Sequence, residues 1–328
     1  MMKKKYWSGL ILLMLFYLAA CSPSINLDFL GQEKMQEVIL VESRAKAKIT
    51  VIDLEGVISS NQGGLFSREG DSLSRVYQRL EKASSDPLVK GIILRLDTPG
   101  GDVTSSDILY HEIMRFRQKT RVPVVALMMG VAASGGYYVA SACDMIVAHP
   151  STLTGSIGVI SVFPDVEGLM NKVGVKTTVV KSGQMKDAGS PFRGMSEEEK
   201  QLFQKIIDEH YQKFLKVVAA RKENGPTLEE IRKLADGRVY TAEQALELGL
   251  VDKVGYFQTA LDEVLSRAGL KEARVVAYTY YPKRQNNLYA TSLAGTDFMS
   301  EPVEKIVSGL KSGFYYLWVP ALKGGATF

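Results

Sequence analysis

The stretch VKGIILRLDTPGGDV, residues 89–103, decides the fold. Its first part is a nearly continuous apolar run, the pattern of a strand buried on both faces, as in a parallel sheet covered by helices. The run ends at Asp97, and Thr98-Pro99-Gly100-Gly101-Asp102 reads as a tight turn before a helix that starts at Asp102 or Thr104. Strand and helix signals alternate outward from it. Upstream, KITVIDLEGVIS (48–59) is a strand and turn, and SLSRVYQRLEKASSD (72–86) is a helix with a Ser start. Downstream come a helix capped by Thr or Ser (104–120), the strand PVVALMMG (123–130), the helix SGGYYVASAC (134–143) and the strand MIVAHP (145–150). VKTTVVKSG (175–183) adds a further strand. The alternation predicts an α/β domain of parallel strands joined by crossover helices, with sites gathered at the carboxyl ends of the strands.

Beyond this block, residues 196–224 have an acidic first turn, basic residues later and apolar positions at helical spacing, the marks of a long packing helix. Residues 227–270 continue as short helices with Gly-ended caps. After Lys271 the pattern is lost, and GFYYLWVPALK (313–323) is apolar without a charge until Lys323. The expected organisation is a leader over 1–20, a tether over 21–47 that ends in a first amphipathic segment, a main domain over 48–270 and a C-terminal extension without assigned role over 271–328.

Hydrophobic residues make up 46% of the 328, which excludes a wholly disordered chain. The net charge of +4 includes Lys3, Lys4 and Lys5, so nothing favours nucleic acid as a partner. Two cysteines cannot form a disulfide framework, and three histidines supply a Cys/His zinc site poorly. No metal and no cofactor are expected. The first residues, MMKKKYWSGLILLMLFYLAAC, place three lysines before an apolar run from Leu10 to Ala20 and then Cys21. That run is short for a membrane span, which needs about 20 apolar residues, and it has the layout of an export signal. Leu18-Ala19-Ala20-Cys21 resembles the bacterial lipobox, in which the cysteine is acylated and becomes the new N-terminus. The expected protein is exported and lipid-anchored at Cys21 to a bacterial membrane, and Ser22 after the cysteine weakly favours the outer one.

Chemistry gathers at three places. In VALMMGVAASGGYYVASA (125–142) a buried strand runs into a turn of small residues, and Ser134 opens a helix followed by Gly135 and Gly136. A nucleophilic serine needs such a turn, which exposes its hydroxyl and aims the following N–H groups at a developing oxyanion. A helix N-cap serine has the same local sequence. The Gly100-Gly101 turn, at a strand end two elements earlier, is the natural second donor. Residues 181–196, KSGQMKDAGSPFRGMS, form a polar loop carrying Lys181, Lys186 and Arg193. His111, His149 and His210 fit a base poorly, whereas a lysine takes a serine proton once desolvation favours its neutral amine. A solvated lysine remains the alternative for Lys186.

Together, DTPGGDV (97–103), AASGGYYVA (132–140), TGSIGVI (154–160) and KDAGSPFR (186–193) resemble the signal peptide peptidase A family of bacterial serine-lysine peptidases, which has the ClpP/crotonase superfold. The resemblance implies Ser134 as nucleophile and Lys186 as general base. It implies Gly101 and Gly135 as oxyanion-hole N–H donors, and Ser156 as the hydroxyl that orients the base. It also implies apolar peptide substrates such as cleaved signal peptides, and a ring-like homo-oligomer, an octamer in the family's short members, with Ser and Lys from neighbouring subunits. The expected protein is a membrane-tethered serine endopeptidase acting through an acyl-enzyme. An acyl-thioester enzyme on the same superfold and a non-catalytic membrane scaffold are the alternatives.

Acylation at Cys21 has a direct check. Wild-type protein incorporates labelled palmitate and Cys21→Ser does not; absence of label from the wild type removes the lipobox reading.

Overall fold

The computed structural model describes residues 35–60, 71–221, 225–280 and 313–318. In chain order its elements are β1 (Gln36–Val41), β2 (Lys48–Glu55), α1 (Ser72–Ser85), β3 (Val89–Thr98), β4 (Gly100–Asp102), α2 (Val103–Thr120), β5 (Val124–Ala133) and α3 (Gly135–Ala140). These are followed by β6 (Met145–Ala148), β7 (Leu153–Gly155), β8 (Ile160–Ser161), α4 (Glu167–Val173), α5 (Glu197–Ala219), α6 (Leu228–Leu234) and β9 (Val239–Thr241). The series ends with α7 (Ala242–Glu247), β10 (Lys253–Val254), α8 (Phe257–Arg267), β11 (Arg274–Thr279) and β12 (Phe314–Leu317).

The apolar run at β3 does what its composition requires. Of its ten residues only Lys90 and Asp97 are exposed, and it pairs in parallel with β2 on one side and β5 on the other. The main sheet has the order β1-β11-β2-β3-β5-β6-β10, with β7 added to β5 and β9 to β7. Its parallel strands are joined through helices, the α/β architecture that the alternation predicts, and the described residues from Gln36 on belong to one compact unit.

One face is closed by α8, whose Phe257, Ala260, Leu261 and Val264 pack on Ile49, Val51, Ile93, Val125, Leu127 and Val275. Each fully buried aliphatic side chain contributes about 1.5–3 kcal/mol relative to exposure. The approach is close enough that a Cβ on Gly91 would stand 2.5 Å from a Val264 methyl. Asp53 and Arg95, neighbours across β2 and β3, form a buried ion pair at 2.7 Å.

Several expectations are corrected. Helix α1 begins at Ser72 as expected, with Asp71 as its cap, and of the two expected starts of α2 the structure takes Asp102 rather than Thr104; the Asp71 and Asp102 carboxylates accept from the Ser74 and Ser105 N–H groups, so α2 is not capped by the threonine or serines that follow. Residues 175–183 form no strand; all nine are exposed, and no described strand edge pairs with them. The sheet also reaches past residues 48–270. β1 comes from the expected tether and β11 from the expected extension, and both add to the β2 edge. Cys21 and the apolar run before it lie outside the described residues. Among the described residues no helix is long and apolar enough to cross a membrane.

Candidate functional site

The carboxyl ends of β3, β5 and β7 meet because the three strands are neighbours: Thr98 pairs with Ala132, and Ala133 with Gly155. Between Leu96 and Thr98 the register of β3 against β5 shifts, and the Asp97 carboxylate accepts the Val131 N–H across that irregularity at 3.0 Å. Thr152 and Thr154 of the next segment donate their hydroxyls to the Met129 and Ala132 carbonyls, each at 2.6 Å. The last turn of β5 is thus held from both sides before the chain reverses at Ser134.

Ser134 has φ 52 and ψ −114, a backbone region that residues with a Cβ avoid at a cost of about 1–3 kcal/mol. Its N–H donates to the Gly155 carbonyl at 2.8 Å, and its carbonyl accepts the Tyr138 N–H at 2.9 Å. It stands at the N-cap position of α3, yet its hydroxyl makes no capping hydrogen bond. That leaves the oxygen free for another partner.

The glycine turn lies against it. Thr98 Oγ1 donates to the Gly56 carbonyl at 2.6 Å and accepts the Gly100 N–H at 3.1 Å. Ile58 and Gly100, and Asp102 and Ile58, are bonded N–H to carbonyl at 2.8 and 2.9 Å. A Cβ on Gly101 would fall 1.9 Å from the Ile58 oxygen, and one on Gly135 would fall 2.5 Å from Ser106 Oγ and 3.1 Å from Gly101 N. Both glycines are required sterically, and their backbones adjoin. As the first residue of a helix, Gly135 has no intrahelical acceptor for its N–H.

Ser156, at φ 48, follows Gly155 and donates its N–H to the Arg238 carbonyl at 2.8 Å. It shares with Ser134 a cleft of about 420 Å³. Val159 and Ile160 form one wall, Ile207, Asp208 and Tyr211 of α5 another, and Leu317 and Trp318 of the tail close it. At its rim Arg238 holds the Asp236 carboxyl down at about 2.

Lys186 is elsewhere. It sits on a 3₁₀ turn, Gln184–Asp187, in an exposed arm, and is not among the residues lining the cleft. No strand precedes it, so only two of the three sequence pieces prove to be strand ends, with β7 supplying the third. The arm is braced beside Lys186 by ion pairs of Asp187 with Lys181 (2.6 Å) and Arg193 (2.9 Å) and of Arg193 with Glu199 (2.5 Å). Hydrogen bonds from Arg193 and Lys181 hold the Asp187 carboxyl far below its ordinary range. Arg193, aided by the Ser196 N–H, holds Glu199 at about 2 against 4.5. A carboxylate so depressed stabilises the fold fully above about pH 4.5 and loses that contribution as pH falls through about 2.

The histidines take no part at Ser134. His111 is exposed on α2, the His149 ring nitrogen pairs with Ser151 Oγ at 2.8 Å, and the His210 carbonyl accepts the Tyr316 hydroxyl at 3.1 Å. Among the described residues no group of three His, Cys, Asp or Glu side chains gathers as a metal site. Sequence reasoning missed the cleft's α5 wall and the tail residues Leu317 and Trp318. The only signal for the latter was the uncharged run at 313–322, which has no periodicity to place it.

Residues 116–271 match peptidase family S49. Over 272 residues the chain is 36% identical to an Enterococcus faecium protein that carries the name signal peptide peptidase SppA, covering 83% of this chain and 77% of that one. A protein of Methanocaldococcus jannaschii named as a protease is 35% identical over 77% of this chain and 76% of its own length. The chloroplastic serine protease SPPA of Arabidopsis thaliana is 34% identical over 68% of this chain and 33% of its own.

The strain at Ser134 makes a prediction separate from chemistry. Glycine adopts φ 52 without a Cβ penalty whereas alanine keeps it, so Ser134→Gly is more stable than Ser134→Ala by about 1 kcal/mol. Thermal unfolding of the two variants checks this; equal midpoints would mean that the turn is unstrained.

Proposed function

Because the chain belongs to peptidase family S49 and is a serine peptidase, we propose that it is a membrane-tethered endopeptidase that cleaves apolar peptides with Ser134 as nucleophile and Lys186 of a neighbouring copy as base. The observation that carries the reading is the strained turn at Ser134, with its hydroxyl unbonded and the Gly101 and Gly135 backbones beside it. Family membership argues against the acyl-thioester alternative.

In this mechanism Ser134 Oγ attacks the scissile carbonyl while Lys186 Nζ, neutral, takes the hydroxyl proton. The carbonyl oxygen becomes an oxyanion facing the Gly101 and Gly135 N–H groups, donors of the kind worth about 2.7–4 kcal/mol each to a transition state. Collapse breaks the C–N bond, and Lys186 passes its proton to the leaving amine. The acyl-Ser134 ester is then hydrolysed by water, with Lys186 again the base. Ser156 lines the same cleft, and in this mechanism its hydroxyl accepts a hydrogen bond from the lysine amine and fixes its direction.

The neighbouring copy enters for two reasons. Lys186 is exposed on the arm and absent from the cleft wall. The arm also carries Leu169, Val173, Val175 and Val180 more than half exposed, an apolar surface costly to leave in water and suited to another copy of the chain. Docking it there would also desolvate the lysine, which a neutral amine requires. A head-to-tail contact of this kind repeats until a ring closes. The apolar cleft wall of Val159, Ile160 and Ile207 supports apolar substrates, and the Enterococcus faecium relative's name supports signal-peptide remnants. Acylated Cys21 would hold the enzyme where such remnants lie.

Two variants test the reading. Lys186→Arg, whose guanidinium stays protonated, loses hydrolysis of a peptide ester; most of the turnover surviving would identify another base. Random co-assembly of equal Ser134→Ala and Lys186→Ala chains restores about a quarter of the sites if the dyad is shared. Mixed assemblies that stay inactive would place both groups in one subunit.

A further inference from the structure

Thr98, the last residue of β3, is fully buried and uses both branches of its side chain around the Ser134 turn. Its hydroxyl stands between two backbone groups, donating to the Gly56 carbonyl at 2.6 Å and accepting the Gly100 N–H at 3.1 Å. Its methyl lies against α3, where a Cβ on Gly136 would stand 2.7 Å from Thr98 Cγ2. Gly56, at φ 71, opens a short strap that follows β2, and its N–H donates to the Asp97 carbonyl at 3.0 Å. Two residues on, Ile58 engages both neighbours of Gly101. Its N–H donates to the Gly100 carbonyl at 2.8 Å, and its carbonyl accepts the Asp102 N–H at 2.9 Å. In a parallel bridge of this kind the middle residue turns its own N–H and carbonyl to the opposite side. The Gly101 N–H therefore points away from Ile58, and a Cβ on Gly135 would fall 3.1 Å from that nitrogen. Whatever fixes the strap, the glycine turn and α3 fixes where the Gly101 and Gly135 N–H groups meet.

Resting on the peptidase reading above, we infer that Thr98 is a positioning residue for the oxyanion hole. Its hydroxyl holds the junction of strap and turn from which the Gly101 N–H is aimed. Its methyl holds α3, whose first residue supplies the Gly135 N–H. One side chain thus sets the spacing of both donors. Spacing decides their worth, because oxyanion donors act at about 2.7–3.1 Å from the charge that forms, and loss of one costs about 10²–10³ in kcat. Serine in place of Thr98 keeps the hydroxyl without the methyl, and valine keeps the shape without the hydroxyl. The hole meets the oxyanion and not the carbonyl of the bound substrate, so a misplaced donor lowers kcat and leaves KM.

Thr98→Val in the full chain tests this in two arms. In the first, kcat for an apolar peptide ester falls about tenfold to a hundredfold, with KM within about twofold of wild type. Thr98→Ser, which returns the hydroxyl, recovers kcat at least about fivefold over Thr98→Val. In the second, read without activity, amide hydrogen exchange at Gly100 speeds up in Thr98→Val and keeps its wild-type rate in Thr98→Ser. Should Thr98→Val not fold, Thr98→Ala takes its place in both arms. If the wild type hydrolyses neither ester nor peptide, the peptidase reading fails, and the exchange arm alone decides whether the hydroxyl sets the turn. Unchanged kcat in Thr98→Val, a loss that Thr98→Ser does not recover, a change carried by KM alone, or equal exchange in wild type and both variants makes Thr98 a packing residue and overturns the inference.

Discussion

The hydrogen bond from the Ser134 N–H to the Gly155 carbonyl is the constraint from which the rest of the site follows. It ties the end of β5 to the end of β7 and holds Ser134 at a positive φ that its Cβ resists. The sheet supplies the opposing force. β5 is fixed by β3, β6 and β7, and by Asp97, Thr152 and Thr154 at its last turn, so the strain of one residue is spread over many bonds. The result is a serine hydroxyl with no capping hydrogen bond and no partner among the described residues, beside two glycine backbones that no other residue type could replace without a collision.

The arm is a contrasting piece of design. Its exposed apolar side chains find no cover among the described residues, yet the loop that carries Lys186 is braced by Asp187, Arg193 and Glu199 through ion pairs that persist across the neutral range. A loop so stiffened holds its lysine in place. On the proposed reading, stiffness in the loop and apolar exposure along the arm serve a segment that acts on a neighbouring copy. The tail presents the opposite case, an apolar strand that finds its cover inside the chain, in the groove beside the glycines.

How much of this was legible in the sequence depends on the range of the forces involved. β3, β5 and the helix after Ser134 were readable because burial on both faces writes a continuous apolar run and because a strand-to-helix reversal demands small residues. The parallel architecture followed from their alternation. Residues 175–183 misled because Val and Thr favour strands, but a strand also needs an edge to pair with, which no local pattern encodes. β1, β11 and β12 were illegible for the complementary reason: short segments far from the main block owe their structure to edges supplied by distant residues. The glycines and Ser134 could be placed at strand ends from sequence. That Lys186 stands apart from them is a property of the folded arm.

The account rests on Ser134 being the residue that attacks. A serine-reactive phosphonate probe applied to the full chain, followed by mass mapping of the modified peptide, tests this most directly. The account predicts one phosphonylated residue, Ser134, and loss of the label in Ser134→Ala. Label on any other residue, or undiminished labelling of Ser134→Ala, would contradict it.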